Sequence, residues 1–449
     1  MMNNLQTTLA PSKSTILYER AKQVLPGGVS RNTIFKRPHP DYAEFGEGCY
    51  VTDIDGVKRL DFANNMASLI HGHAQPDVTQ AIIEQVQKGT AFTLATEAEV
   101  KYAELLCARV PNFDKIRFVN SGTEAVMAMI KAARAHTGKA KIAKVEGAYH
   151  GAYDYAEVSQ TAAPATWGEE IAPNSVPVAN GTPNGALDDV IVIPYNNVEH
   201  ALAILQQHQD EIAGILIDPV SHRVGMVPAT NEFVEALYQW SREHHALLMF
   251  DEVITFRCGY GGAQQHYSVA PDLTALGKMI GGGFPVGAIA GSETVMKVFD
   301  PTQPKVLLPH SGTFSANPVT MVAGHTAMSL FDQAAVEKLN KLGDYARQQI
   351  NHAIAVAGIK ACVTGLGSMF RIHLKAAMPN NYRQSYASND ENKAINMLLA
   401  HLSEQNIMMI NTCSVMLSTA MSEHEIDYLV QHLATGFAMI KAQHPSLRQ

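Results

Sequence analysis

LLMFDEVITFR, residues 247–257, and PDLTALGK, residues 271–278, decide how this chain folds. The apolar run Leu247–Phe250 is too short for a helix of its own and reads as a buried strand. Asp251 and Glu252 follow directly at its end. A second short apolar run, Leu273–Leu276, leads to Lys278, just ahead of Gly281-Gly282-Gly283. Charges set past the apolar end of a core strand act either as a cap or as part of a site.

Strands and helices alternate on the N-terminal side of this stretch. The patterning predicts strands at Ile116–Val119, Ile142–Val145, Val190–Ile193 and Ile212–Ile217, with helices at Thr123–Thr137, Val198–Leu205 and Asn231–His245. This is the pattern of an α/β large domain, a mostly parallel sheet covered by helices. Ligands of such sheets sit beyond the carboxyl ends of the strands, which places Asp251 at the site. Ahead of it come a helix at Thr15–Leu25, a hairpin about Asp55-Gly56, a helix over Pro76–Lys88 and a capping box at Thr96-x-x-Glu99. After Pro318 the texture changes to a long helical segment, Val319–Val356. Short strands follow near Ile359–Val363, Met369–His373 and Met408–Met416, and a last helix is capped by Ser422-x-x-Glu425. The division expected is residues 1–62 as N-terminal arm, helix and hairpin of a small domain, 63–320 as the large domain, and 321–449 as a C-terminal α+β domain.

The composition narrows the function. With 449 residues, 46% hydrophobic and 17% charged, the chain can bury a sizeable core. A net charge of −8 without a long basic run argues against nucleic acid as a partner. The five cysteines are scattered without a CxxC pair, so reduced thiols in a cytoplasmic protein are expected. No apolar run approaches the ~18 residues of a membrane span, and the first residues read as a flexible arm, not a signal peptide. His71 and His73 lack a carboxylate or cysteine cluster beside them, so packing or hydrogen bonding is expected of them, and no metal.

The site pieces each have a plain reading. A carboxylate and an amine in one crevice suit pyridoxal phosphate, the Lys forming the Schiff base and the Asp pairing with the pyridine nitrogen. An ordinary buried ion pair between strand ends fits them equally. The turn Asn120-Ser121-Gly122-Thr123, opening a helix, offers N–H groups and the positive dipole end to a phosphate, or is a plain N-cap. Neither a Walker loop nor a dinucleotide GxGxxG follows the first strand. Together, however, SGTEA at 121–125, YHG at 149–151, DEV at 251–253, LGK at 276–278 and GTF at 312–314 resemble, in order and spacing, the class III aminotransferases. These are fold type I enzymes that use pyridoxal 5'-phosphate. The resemblance implies that Lys278 carries the cofactor and Asp251 faces its ring nitrogen. It also implies that Ser121, Gly122 and Thr123 hold the phosphate, and that Tyr149 and Val253 cover the two ring faces. Thr313 resembles the residue that reaches the phosphate of a neighbouring subunit, which implies a homodimer with shared sites.

Ile254 departs from the wider family, where Gln commonly follows DEV. DEVITFR with LGKMIGGGFPVGAIAG is similar to the glutamate-1-semialdehyde aminomutase subgroup, which also holds aminotransferases acting on β-amino acids. The segment after YHG lacks the aminomutase's glycine-rich gating loop, and Asp218-Pro219 replaces Glu-Pro. GGVSRNTIF resembles the stretch of β-phenylalanine-type aminotransferases in which an Arg binds substrate carboxylate, which makes Arg31 the candidate clamp. The second Arg of those relatives, near Asn411–Ser414, is missing here. Arg257 and Arg371 could replace it, although a structural role is the plainer reading of each. The expectation is an aminotransferase moving an amino group from a carboxylate-bearing amine, a β-amino acid among the candidates, to a 2-oxo acid. The alternatives are an aminomutase or epimerase on the same cofactor, or a catalytically silent cofactor-binding protein.

Overall fold

The computed structural model describes residues 11–449, so the expected N-terminal arm lies largely outside the described residues. The seven strands of the large sheet are β1 (Lys115–Val119), β2 (Lys141–Val145), β3 (Val190–Ile193), β4 (Ile212–Ile217), β5 (Leu247–Asp251), β6 (Leu273–Gly277) and β7 (Gly287–Gly291). Their order across the sheet is β1-β7-β6-β5-β4-β2-β3. Only β7 runs antiparallel to its neighbours, β6 and β1. The remaining pairs are parallel.

Every residue of β4, β5 and β6 is buried, which is why these strands are continuous apolar runs. Within β5, Leu247 and Met249 pack on one face with Val126, Met129, Ile130 and Ala133 of helix α1 (Gly122–Thr137). Leu248 and Phe250 point the other way, toward Phe233, Val234, Leu237 and Trp240 of helix α2 (Asn231–Glu243). The two-residue period of the strand thus feeds two cores at once. β7 was not foreseen, because GAIAG carries little of the bulk that marks a strand. Its smallness is required: a Cβ on Gly287 would stand 2.0 Å from the Ser121 carbonyl oxygen.

Beyond the large sheet, Cys362–Leu366, Met369–His373 and Ser414–Met416 form an antiparallel sheet. The expected hairpin pairs Tyr50–Asp53 with Lys58–Asp61, and the latter also runs parallel to Ile407–Met408. Early and late parts of the chain therefore share one sheet. The long helical segment is two helices, Pro318–Leu330 and Gln333–Ala357. Asp332 breaks it by accepting from the Ala335 N–H as a new N-cap. Thr96 begins the helix Glu97–Arg109 without forming the expected box: its side chain makes no capping bond and its Oγ1 is buried without a partner. The Ser422–Glu425 box does form. His71 bonds to Thr419 and to the Ala327 carbonyl, and His73 to Asp61. No helix among the described residues is long and apolar enough to cross a membrane.

Candidate active site

The parallel strands all end on one edge, and the chain leaves five of the six, all but β3, into the same space. β1 leads to Asn120–Thr123, β2 to Tyr149–Gly151, β4 to Asp218, β5 to Asp251–Ile254 and β6 to Lys278. All of these residues line one cavity of about 540 Å³, together with Arg31, Asn65, Ser68 and the segment Gly283–Val286. Of the residues expected at the site, Lys278, Asp251, Ser121, Gly122, Thr123, Tyr149, Val253 and Arg31 meet here. Thr313 does not. It is exposed, on a loop that lines a separate small hollow with Phe92 and Leu94.

Asp251 is 5% exposed and fixed at both oxygens. Oδ2 accepts from His150 Nδ1 at 2.8 Å, and Oδ1 accepts from the Val253 N–H at 3.0 Å. His150 is buried, and burial pushes its pKa down despite the pull of Asp251. Its Nδ1–H serves Asp251, which leaves Nε2 buried and unpartnered. Lys278 stands one residue past β6, in a short helical turn with φ +49°. A left-handed lysine costs about 1–2 kcal/mol, a strain of the kind that gathers at functional sites. Burial lowers the pKa of its amine, while Asp251 and Asp218 pull it back up. Asp218 is itself held well above the usual carboxylate range, first by burial and then by Asp251. The cluster therefore holds one amine, one fixed carboxylate and one carboxyl that burial and Asp251 drive toward its protonated form.

At the other end of the cavity α1 begins. The Ser121 side chain accepts from the Glu124 N–H at 3.1 Å, and Glu124 reaches back to the Asn120 N–H at 2.8 Å. The Gly122 and Thr123 amides have no partner inside the helix and sit at its positive end. Gly122 is required by closeness: a Cβ there would lie 2.9 Å from Val253 Cγ1. Gly122→Ala should push α1 away from Val253 at about 1–3 kcal/mol of overpacking. The expected result is at least about tenfold weaker cofactor retention, read as cofactor content after dialysis. Unchanged retention would mean that this turn does not hold the cofactor.

Three features escaped the sequence reading. His150 was visible in YHG but had no partner until the fold brought it to Asp251. Asp218 was noted only as a substitution. Asn65 belongs to a run, Asn64 to Ala67, with φ between 44° and 74° at every residue. The Asn64-Asn65 pair was the available signal, since Asn tolerates this conformation best. The turn presents Asn65 Oδ1 to Arg31 Nη1 at 2.8 Å.

Residues 36–436 match the model of the aminotransferase class-III family. The chain belongs to this family. It is 36% identical over 385 residues to a glutamate-1-semialdehyde 2,1-aminomutase of Methanothrix thermoacetophila, covering 86% of this chain and 87% of that one. Among solved structures it is similar to an ω-transaminase from Sphaerobacter thermophilus, with 46% identity, a TM-score of 0.93, and 95% and 97% of the two chains covered. It is also similar to a β-phenylalanine aminotransferase from Variovorax paradoxus, with 31% identity, a TM-score of 0.87, and 96% and 94% covered. The family member is an enzyme dependent on pyridoxal 5'-phosphate. The cavity fits that group: it offers an amine, a carboxylate already accepting two N–H bonds, and a long helix whose first amides face inward.

Proposed function

We propose that this aminotransferase moves an amino group from a carboxylate-bearing amine, with β-amino acids as the leading class, to a 2-oxo acid. The observation that carries the reading is Arg31, a guanidinium lining the same cavity as Lys278 and steadied by Asn65. Such a fork pairs bidentately with a carboxylate and sets the amine's orientation. Transfer is favoured over an intramolecular shift by the segment following YHG. It forms a short hairpin, Gly168–Glu169 with Ala172–Pro173, instead of a glycine-rich gate. Arg383 ties it down by donating to the carbonyls of Trp167, Gly168 and Glu169 while pairing with Glu146.

When bound, pyridoxal phosphate supplies a carbonyl carbon for amine exchange and a ring that accepts electrons. The chain's own groups do the rest. The first turn of α1 holds the phosphate, and Tyr149 and Val253 enclose the ring. Asp251, oriented by His150 and by the Val253 N–H, is the counter-charge for the ring nitrogen. Lys278 Nζ, made more often neutral by burial, takes the proton from the substrate's amine-bearing carbon and can return it elsewhere. Ile254 brings an alkyl group to the cavity where an amide is common, and the Asp218 carboxyl lines the same cavity.

A homodimer is part of the proposal. Thr313 is exposed outside its own chain's cavity, with exposed Phe314, Phe92 and Leu94 around it, as expected of a residue serving a neighbouring subunit. A cytoplasmic location accords with five unpaired cysteines.

Mixing holoenzyme with α-, β- and ω-amines, without any oxo acid, tests the reading. β-Amino acids should bleach the cofactor's visible band, 2-oxoglutarate or pyruvate should restore it, and Arg31→Gln should raise the amine concentration needed roughly tenfold or more. The aminomutase reading, carried by the Methanothrix relative, wins if only an aminoaldehyde or diamine perturbs the band and product forms without an acceptor.

A further inference from the structure

Two buried arginines face the space between the small antiparallel sheet and the large one, and they are treated differently. Arg257 is held in a structural role by two bonds, Nε donating to Ser368 Oγ at 2.9 Å and Nη2 to the Leu417 carbonyl, while its Nη1 is buried without a partner. Arg371 is 9% exposed, and its Nε is buried without a hydrogen-bond partner. The charged or titratable groups acting on it are Cys413 and Arg223, and no carboxylate is among them. A guanidinium keeps its charge at any ordinary pH, and a buried unpaired charge is costly.

The strand register shows where Arg371 points. Along Met369–His373, Phe370 and Ile372 face the helices of the C-terminal part, in one core with Leu429 and Phe437. Met369 faces the other way, packing with Val220 and Met226. His373 does too, its ring bonded to the Gly225 carbonyl at 2.9 Å. Arg371, between them, shares that face. It therefore lies over the 220–226 segment, which begins two residues after Asp218 at the cavity wall. On this segment Arg223 is exposed, with its guanidinium 5.8 Å from the centre of the Tyr149 ring at the cavity mouth. His222 precedes it on the same segment, and burial, then the charges of Arg371, Lys278 and Arg223, hold its pKa down at about 3. The imidazole is neutral at working pH and offers a hydrogen bond without adding a third charge.

We infer that Arg371, Arg223 and His222 form a second carboxylate pocket, which takes the distal carboxylate of a dicarboxylic substrate whose reacting carbon lies at Lys278. Two guanidiniums and a neutral donor match a planar carboxylate, and among the described residues no carboxylate acts on Arg371. A 2-oxo acid with a distal carboxylate, such as 2-oxoglutarate, fills the pocket, whereas pyruvate leaves Arg371 unpaired. The inference rests on the aminotransferase reading and names its preferred acceptor class.

The decisive experiment titrates the cofactor's visible band in holoenzyme with glutarate, butyrate and inorganic phosphate. It uses wild type, Arg371→Gln, Arg371→Lys and Arg223→Gln. Glutarate should bind wild type roughly tenfold or more tighter than butyrate, the scale of one charge-assisted pair. That preference should vanish in Arg371→Gln, recover in part in Arg371→Lys, and shrink in Arg223→Gln. In steady state, kcat/KM of Arg371→Gln should fall at least about tenfold more for 2-oxoglutarate than for pyruvate. Equal binding of glutarate and butyrate by wild type would overturn the pocket, and so would phosphate competing as well as glutarate. A preference unchanged in both Arg371→Gln and Arg223→Gln would do the same. Arg223 is exposed, so its variant decides the matter if Arg371→Gln does not fold. The titration needs no turnover. A holoenzyme that no amine bleaches would refute the aminotransferase reading, while the glutarate ratio would still judge the pocket.

Discussion

Lys278→Ala abolishes transamination, with residual turnover about 10⁴-fold or more below wild type. Its amine is the only one lining the cavity among the described residues, and it would serve both as the cofactor's attachment and as the proton carrier. General acid–base groups contribute about 10²–10⁴-fold by themselves, and loss of the covalent partner adds to that. The substitution should leave the fold intact: the turn after β6 is set by Gly277 and the glycines that follow, the left-handed backbone cost at 278 is the same for alanine because it comes from Cβ, and removing the desolvated amine relieves the chain. Equal thermal stability with loss of the visible band that hydride reduction fixes in wild type is the expected pair of readings. Small amines such as methylamine should restore part of the turnover, because the cavity then has room for them. Substantial turnover in Lys278→Ala without added amine would remove the lysine from the chemistry.

Asp251→Asn is expected to keep the cofactor but lose about three decades of turnover. The carboxylate sits at the end of β5, where His150 and the Val253 N–H fix its direction. A charge pair at about 4 Å contributes about 4 kcal/mol at an effective dielectric near 20, and each 1.36 kcal/mol is tenfold in rate. An amide has the same shape, and its one oxygen can still accept from either His150 or the Val253 N–H, so the charge goes while one of the two orienting bonds is kept. The informative comparison is kcat against cofactor affinity: kcat should fall steeply, and cofactor retention only modestly. His150→Ala should produce a weaker version of the same split, because it frees Asp251 to turn. Near-normal kcat in Asp251→Asn would show that the ring nitrogen does not depend on this residue.

Much of the fold could be read in the sequence because its signals are short-range. β3 and β4 fall where the apolar runs placed them, Val190–Ile193 and Ile212–Ile217, since a strand buried on both faces has little freedom in composition. β7 was invisible for the opposite reason. It is built from glycine and alanine to fit against the Ser121 turn, and that constraint comes from residues more than 160 positions away. Thr96 misled because a capping box can be spelled without being formed, while Asp332, unremarkable in the sequence, splits one apparent helix into two.

The sequence by itself determined the chemistry of the site: an amine after one strand, a carboxylate after its neighbour and a small polar turn opening a helix. Parallel strands carry all their C-terminal ends to one edge, so residue type plus strand order suffices to gather them. What only the tertiary structure decided is which charges remain unpaired. Arg257 and Arg371 are equivalent as letters. One is anchored through Nε and Nη2 by Ser368 and the Leu417 carbonyl, and the other has an unpartnered Nε and shares its surroundings with His222 and Arg223. Partnership of a buried charge depends on groups far apart in the chain, and local sequence carries no record of them.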